Sequence, residues 1–369
     1  MSLFTLHTWS LDLTVHFEFS TSLFAYLFIT PSVVSVFLNL KIPMNRYLIN
    51  LSYIGTQFRG IQKNLVKENP SLDDPHSVEG LLEIALKKLC PVNDFKIKLS
   101  SRTDAGVHAL HNTVHVDLER RNGKPYEEDK VTRRLNRAFG SQELPIRVIS
   151  TQLVPMSFHA RLCAKSRTYL YRLAVLRRKY CEGTSMHALT RFIPIEEHDR
   201  CYFVANPTFN IERFQQAASL FVGYHDFRTF MAVSRGNPRQ QDASFTLRRI
   251  HDISVVKGAP MVSTFNRDLA EQYYDYWDIR IKGRSFLYKQ VRRMIGTWIA
   301  AAEGRITERD VQQMLTVPSA HSWCDRAVVA PAYGLYLCQV EYDSVDLAFT
   351  AQNEFPRAAE AKQTGTTTN

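Results

Sequence analysis

Short alternating segments and short amphipathic segments follow one another along most of the chain. Residues 46–53 alternate polar and apolar side chains with a period of two, which predicts a strand. Residues 78–89 place apolar side chains at helical spacing and predict a helix. The same two periods predict the remaining elements, which are strands at 113–118, 146–153, 168–175, 247–256, 276–281 and 334–342 and helices at 127–139, 211–221, 286–302 and 307–315.

This order of elements predicts two α/β lobes that meet at a cleft. At ~150 residues per domain, a chain of 369 residues has room for two or three folding units. We expect an N-terminal lobe at residues 44–155 and a C-terminal lobe at residues 156–344. Residues 345–369 are rich in Thr, Gln and Ala, which predicts a disordered tail.

The first 43 residues differ from the rest. Residues 19–40 are 22 uncharged positions, a length close to the ~20 of a membrane-spanning helix, but Pro31 and several polar residues interrupt the apolar run. The basic segment of a secretory signal and the arginine-rich pattern of a mitochondrial presequence are both absent. A membrane anchor, an atypical targeting segment and an extension outside the folded protein stay open. Met44, just before the first predicted strand, favours the extension.

Basic residues outnumber acidic ones, 46 against 36, and the net charge of +10 favours a polyanionic partner. Residues 161–191 hold eight basic side chains against Glu182 alone, interleaved with three tyrosines. Such a mixture is typical of a surface that binds RNA phosphates and stacks on bases, with a solvated strand face as the alternative. The eight are Arg161, Lys165, Arg167, Arg172, Arg177, Arg178, Lys179 and Arg191.

Metal and nucleotide-cofactor motifs do not occur in the sequence. The six cysteines form no CxxC pair, so we expect reduced, buried thiols rather than a zinc site or a disulfide framework. Neither GxxxxGK[ST] nor GxGxxG is present, and no metal-ligand spacing is found.

Residues 100–109, SSRTDAGVHA, carry the most information. They lie between a strand that ends near Leu99 and the next predicted strand. Gly106 permits a backbone conformation closed to other residues, so a tight loop presents Arg102 and Asp104 together. A carboxylate beside an arginine stays ionised, as a nucleophile must. Taken alone, the sequence Arg102-Thr103-Asp104 is also typical of a salt-bridged turn.

With this loop in view, the chain resembles the TruA family of tRNA pseudouridine synthases over residues 46–342. The loop RTDAGVH at 102–108 is similar to the family's catalytic loop almost letter for letter. Further motifs follow in the family's order: YIGTQFRGIQ at 53–62, SVEG at 77–80, FHAR at 158–161, SRTYLY at 166–171, GYHDF at 223–227, FLYKQVRRMIG at 286–296 and APAYGLYL at 330–337. The chain departs from the family in its N-terminal extension and at Ile61, where an aromatic residue is usual.

The resemblance implies an α+β fold in which two α/β lobes with mixed, largely antiparallel sheets meet at a basic central cleft. It implies an isomerase that converts uridine to pseudouridine in tRNA without a cofactor. Asp104 is the implied essential carboxylate, and Arg292 pairs with it through a planar two-point contact. Tyr169 packs against the uracil and is a candidate for proton removal at C5. Arg102 fills the space left by the flipped nucleotide, and Leu335 forms an apolar wall of the pocket.

Further residues are expected to bind RNA or to support the fold. The additional RNA contacts are Arg134, Arg161, Arg167 and Arg178. Arg293 points about 100° away from Arg292 on a helix, which favours a phosphate contact. His108, His159 and Asp226 are expected to be structural residues.

A non-catalytic RNA-binding or ribosome-assembly protein on the same scaffold is the alternative function. The joint presence of Asp104, Tyr169 and Arg292 argues against it. The modified position, RNA substrates other than tRNA, and a cytoplasmic or mitochondrial location all stay open. A homodimer and a membrane contact through residues 19–40 stay open as well.

Overall fold

The computed structural model describes residues 44–63, 73–181, 193–232, 243–319 and 321–349. Within these ranges the chain forms ten strands and eight α-helices. The strands are β1 (Asn45–Tyr53), β2 (Lys98–Leu99), β3 (His108–Leu118), β4 (Ile146–Val154), β5 (Ser166–Leu176), β6 (Tyr202–Val204), β7 (Gly223–Asp226), β8 (Leu247–Lys257), β9 (Tyr274–Gly283) and β10 (Leu335–Glu341). The helices are α1 (Val78–Lys87), α2 (Glu128–Gly140), α3 (Ile211–Ser219), α4 (Ala243–Thr246), α5 (Thr264–Tyr273), α6 (Gln290–Ala302), α7 (Glu308–Thr316) and α8 (Ser344–Leu347).

The ten described strands form one sheet in the order β4-β1-β3-β10-β5-β9-β8-β7, with β2 paired to β3 and β6 paired to β5. The pairings of β10 with β3 and of β5 with β6 are parallel, and the others are antiparallel. This confirms the expected α+β class with mixed, largely antiparallel strands. The sheet continues from one expected lobe to the other through β3, β10 and β5, and the boundary at residue 155 stays a prediction.

The centre of the sheet brings distant segments into one row. β3 and β10 run parallel and begin at the same edge, with Tyr336 opposite His108. One residue further along, Leu337 lies between Ala109 on β3 and Tyr169 on β5. The loop before β3, the start of β10 and the middle of β5 therefore lie next to one another.

Both faces of β5 are covered because the strand is central. Alternate side chains point to opposite faces of a strand, and Tyr169 belongs to the main hydrophobic core, which also contains most of α6. Ala174 faces the other side and packs with Tyr276 in a second core. Helix α6 lies tightly against the chain after α7, since a β-carbon at Gly296 would come within 1.8 Å of the carbonyl oxygen of Val328. This close packing fixes the position of the helix that carries Arg292.

Two element boundaries differ from the predicted ones by more than two residues. β3 begins at His108 rather than at residue 113, because two residues bulge opposite Ser52 and interrupt the alternation. Helix α6 begins at Gln290 rather than at residue 286, because Lys289 has a φ of +58°. A left-handed residue of this kind cannot continue a right-handed helix, so residues 286–289 form a separate loop.

The N-terminal extension and most of the tail lie outside the described residues, including residues 19–40. Helix α8 covers the first residues of the predicted tail. Among the described helices, none has the length and apolar character needed to cross a membrane.

Candidate active site

The loop that carries Asp104 connects β2 to β3 and is held by the chain after β1. Gly60 pairs with Asp104 as an isolated antiparallel bridge, and Ile61 N–H donates to the carbonyl of Thr103 at 3.2 Å. Gly60 has a φ of +112°, and a β-carbon there would lie 2.8 Å from the Thr103 carbonyl oxygen. Only glycine accommodates this approach. The side chain of Ile61, the departure from the family pattern, is buried in the main core.

A buried polar network lies behind the same loop. The Tyr53 hydroxyl lies 2.7 Å from Oγ1 of Thr103, and Nδ2 of Asn112 donates to the Tyr53 oxygen at 3.1 Å. Oγ of Ser100 donates to Oδ1 of Asn112 at 3.0 Å. Burial raises the pKa of Tyr53 to about 12, so its phenol stays neutral. Since these buried groups satisfy one another, the network specifies one conformation of the loop.

The contacts of His108 agree with the predicted structural role. Its buried Nδ1 accepts from Gly55 N–H at 2.9 Å. Nε2 therefore carries the proton and donates to the carbonyls of Tyr333 at 2.9 Å and of Asp199 at 3.1 Å. Burial lowers the pKa of His108, so the ring stays neutral near pH 7. The histidine joins the Asp104 loop, whose Gly106 has a φ of +78°, to the segment before β10.

Asp104 and Arg292 form the expected ion pair, with a different geometry. Nη1 of Arg292 lies 3.6 Å from Oδ2 of Asp104, and the two side chains are 15% and 20% exposed. The predicted two-point contact is wrong, because Nε of Arg292 donates instead to the carbonyl of Ala330 at 2.7 Å. This second bond orients the guanidinium, whose closest approach to the carboxylate is longer than a hydrogen bond.

The charge of Asp104 depends on opposing effects. Burial raises the pKa of its carboxyl group above the usual range, while the charges of Arg292, Lys289 and Arg102 lower it, with burial the larger effect. A neighbouring arginine therefore favours the ionised carboxylate, as expected, but burial opposes it. A weakly solvated carboxylate surrounded by three cations is suited to stabilising positive charge in a substrate.

Tyr169 lies beside this pair, in the row of the sheet that contains Leu337. Its ring meets the ring of Phe286 edge to face at 5.1 Å, and only 7% of the residue is exposed. Burial raises the pKa of Tyr169 well above its ordinary value. Its hydroxyl is therefore protonated at neutral pH, which favours packing or hydrogen-bond donation over action as a free base. Leu335 is buried at the start of β10, opposite Tyr171.

The structure separates the predicted RNA-contacting arginines into two groups. Arg102, Arg134, Arg161 and Arg178 are exposed. Arg167 is buried, and its guanidinium donates to the carbonyls of Ser100, Arg161 and Arg284 and to Oγ of Ser101. Because these bonds occupy the guanidinium of Arg167 with protein acceptors, Arg167 is placed to hold the Asp104 loop rather than to contact a phosphate.

The basic and aromatic block at residues 161–191 is not one continuous surface. Arg172 is buried and binds Glu197 through both terminal nitrogens, at 2.5 and 2.7 Å. Tyr171 is also fully buried. Both open interpretations, an RNA surface and a solvated strand face, are wrong within β5, because neighbouring strands and side chains cover it on every side. Arg191 lies outside the described residues.

Three further residues were expected outside the catalytic set. Arg293 does not face solvent as predicted: Nη1 donates to the carbonyls of Thr229 and Met231, and the guanidinium lies 4.8 Å from the ring centroid of Trp323. His159 Nδ1 accepts from a backbone N–H, and Asp226 caps the short helix that follows it, in agreement with structural roles. The six cysteines are free, but Cys201 alone is buried.

Two residues near the pair escaped the sequence analysis. Phe286 and Lys289 lie in the loop before α6, where the ring of one contacts Tyr169 and the charge of the other lowers the pKa of Asp104. The helical spacing of residues 286–302 concealed this loop. In the part of the chain that the structure describes, no cluster of three His, Cys, Asp or Glu side chains offers a metal site.

Comparisons with known proteins identify the relatives of this chain. Residues 217–343 match the family model described as tRNA pseudouridine synthase. The chain is 34% identical over 309 residues to tRNA pseudouridine synthase-like 1 of Xenopus laevis, covering 83% of this chain and 95% of the relative. It is 33% identical to the Homo sapiens protein of the same name, covering 82% and 92%. It is 29% identical to tRNA pseudouridine synthase A of Brucella anthropi, covering 81% and 98%. The chain therefore belongs to the TruA family of tRNA pseudouridine synthases.

Proposed function

We propose that this protein isomerises uridine to pseudouridine in tRNA, with Asp104 as the essential carboxylate. The observation that carries the proposal is the position of Asp104, on a glycine-shaped loop, 3.6 Å from Arg292. Tyr169 lies on β5, which β10 separates from the strand that follows the Asp104 loop. The names of the relatives support tRNA as the substrate.

The reaction changes one bond to the sugar and leaves the atom count of the nucleotide unchanged. The N1–C1′ bond breaks, the uracil turns, and C5 bonds to C1′. C5 then loses a proton and N1 gains one, so no oxidant or energy source is consumed. The ionised carboxylate of Asp104 acts at C1′, either by attacking it or by stabilising positive charge there as the base departs.

The side chains around Asp104 position the carboxylate and the target nucleotide. Arg292 orients Asp104 because its Nε is fixed by Ala330 while Nη1 faces the carboxylate. Tyr169 packs against the uracil and, being protonated, donates a hydrogen bond to it. Arg102 is exposed on the Asp104 loop itself, where it fills the space of a nucleotide that has left its stack. Leu335 supplies an apolar wall.

The test is replacement of the carboxylate by its neutral isostere. Asp104→Asn removes the charge and keeps the shape, so we expect no detectable pseudouridine and tRNA affinity within about threefold of the parent. Pseudouridine is measured in a tRNA transcript by mass spectrometry, and affinity by filter binding. Asp252→Asn, at an exposed position on β8, is the matched control and should react at the parental rate.

The two outcomes that contradict the proposal are distinct. Product formation by Asp104→Asn at the parental rate would remove Asp104 from the mechanism. A parent protein that binds tRNA but never forms pseudouridine would favour the alternative of a binding protein.

A further inference from the structure

Three arginines lie near the start of the Asp104 loop. They are Arg161, Arg248 and Arg284, hereafter the arginine cluster. Arg161 and Arg284 are exposed, and no described carboxylate lies within ion-pair distance of either. Arg248, on β8, is partly buried, and the nearby charge of Arg161 adds to burial in lowering its pKa. Burial lowers the pKa of Arg167, and the charges of Arg161 and Arg284 lower it further. Because these cations lie close to one guanidinium, an anion that binds beside them stabilises them.

Buried Arg167 holds the backbones of two cluster members in place. Its Nη1 donates to the carbonyl of Arg284 at 2.5 Å, and its Nη2 to that of Arg161 at 3.1 Å. The same guanidinium donates to the carbonyl of Ser100 at 2.8 Å and to Oγ of Ser101 at 3.0 Å. A single rigid group therefore links Arg161 and Arg284 to the start of the loop that presents Asp104.

Arg248 offers a donor that the protein does not use. Its Nε is buried and has no hydrogen-bond partner among the described residues, while Nη1 donates to the carbonyl of Leu247 at 2.7 Å. Ile250 of β8 and Arg167 of β5 both pair with Gly283 of β9, so Arg248, two residues before Ile250, faces the same side of the sheet as Arg167. A buried donor without an acceptor is unfavourable and becomes satisfied when an anionic oxygen binds.

Two carboxylates at and just after the end of β10 are already paired. Asp343 binds Lys165 at 2.8 Å. Glu341 binds Lys282 at 2.8 Å and also accepts from Ser166. Neither acid neutralises the cluster, so its charge is available to an external ligand.

We infer that the arginine cluster is a subsite for an RNA backbone phosphate near the target uridine, and that Arg167 is the positioning residue that sets its distance from Asp104. The inference rests on the proposed function, which supplies the RNA. Guanidinium groups suit this ligand because their planar donors match phosphate oxygens in pairs. Fixing a phosphate relative to the Asp104 loop positions the nucleotide for reaction.

The first experiment measures binding of a tRNA transcript at several salt concentrations. Arg161→Gln and Arg284→Gln should each weaken binding about tenfold and lower the slope of log affinity against log salt by about 0.7–0.9. Arg309→Gln removes the same charge from an exposed site on α7 and should match the parent. Parental affinity and slope in both Arg161→Gln and Arg284→Gln would overturn the inference.

The second experiment separates positioning from simple charge. Arg161→Gln and Arg284→Gln should raise KM more than they lower kcat, whereas Arg167→Lys should lower kcat and weaken binding, because an ammonium cannot hold three carbonyls and a hydroxyl. Thermal melting checks that each variant folds. A folded Arg167→Lys protein with parental kcat and salt slope would remove Arg167 from the inference. If the parent shows the expected arginine dependence of binding but forms no pseudouridine, the proposed function fails and the phosphate subsite stands.

Discussion

Two arginine–carboxylate pairs in this protein differ in burial and in geometry. Arg172 binds Glu197 through two nitrogens at 2.5 and 2.7 Å, and the side chains are 2% and 0% exposed. Arg292 approaches Asp104 at 3.6 Å, and the side chains are 15% and 20% exposed. The first pair is closed on all sides, whereas the second leaves carboxylate oxygen surface open to a ligand.

The contrast shows how the same residue types serve folding or chemistry. Glu197 also accepts from Met261 N–H at 2.6 Å, so its oxygens are saturated and its charge is matched inside the protein. Asp104 is oriented by one loose contact and surrounded by cations, and burial raises its pKa. A saturated pair joins segments of the fold, while an unsaturated one keeps a charge ready for a reacting atom.

Breaking the closed pair should give the largest effect on stability. Glu197→Gln leaves Arg172 buried without a counterion, so we expect the free energy of unfolding to fall by about 3–5 kcal/mol in urea denaturation. The double variant Arg172→Met, Glu197→Leu should recover most of that loss. Glu127→Gln, which breaks an exposed pair with Lys130, should change little. Parental stability of Glu197→Gln would erase the distinction between the two pairs.

Altering the open pair should instead affect the rate. Arg292→Lys keeps the charge but cannot bond to the Ala330 carbonyl and face Asp104 at once, so single-turnover pseudouridine formation should slow about a hundredfold. In urea denaturation, Arg292→Lys should change the free energy of unfolding much less than Glu197→Gln does. Adding Arg292→Lys to Asp104→Asn should have little further effect on the rate, because the two residues act as a unit. A normal rate for Arg292→Lys would show that the reaction does not depend on the pairing of Arg292 with Asp104.

The smallest expected effect is a shift in the pH dependence. Activity requires ionised Asp104, so the rate should fall as pH drops through its raised pKa. Removing the Arg292 charge in Arg292→Gln should move this acid limb to higher pH, and Arg102→Gln should move it less. Because folding raises the pKa of Asp104, this residue makes the folded state less stable as pH rises through that pKa. Asp104→Asn should remove this contribution to the pH dependence of stability. An acid limb identical in the parent and Arg292→Gln would contradict the electrostatic account.

Local patterns predicted most elements because each depends on neighbouring residues. Alternation located β1 and β4, and helical spacing located α1 and α3 within a few residues. The spacing failed where one backbone conformation overrode it, as at Lys289 with its positive φ. The predicted helix consequently included Phe286, although this residue lies in the loop before α6 with its ring against Tyr169.

The sequence alone determined the family and the α+β class and predicted which carboxylate acts, because glycine-dependent loop geometry and ordered motifs are local properties of the chain. Only the tertiary structure decided which charges are buried. Arg167 and Arg172 look like surface cations in the sequence, yet sheet order places their strand at the centre and gives each guanidinium protein acceptors. Asp104 and Arg292 are 188 positions apart, so their distance and the open side of the pair follow from packing of α6 against the sheet.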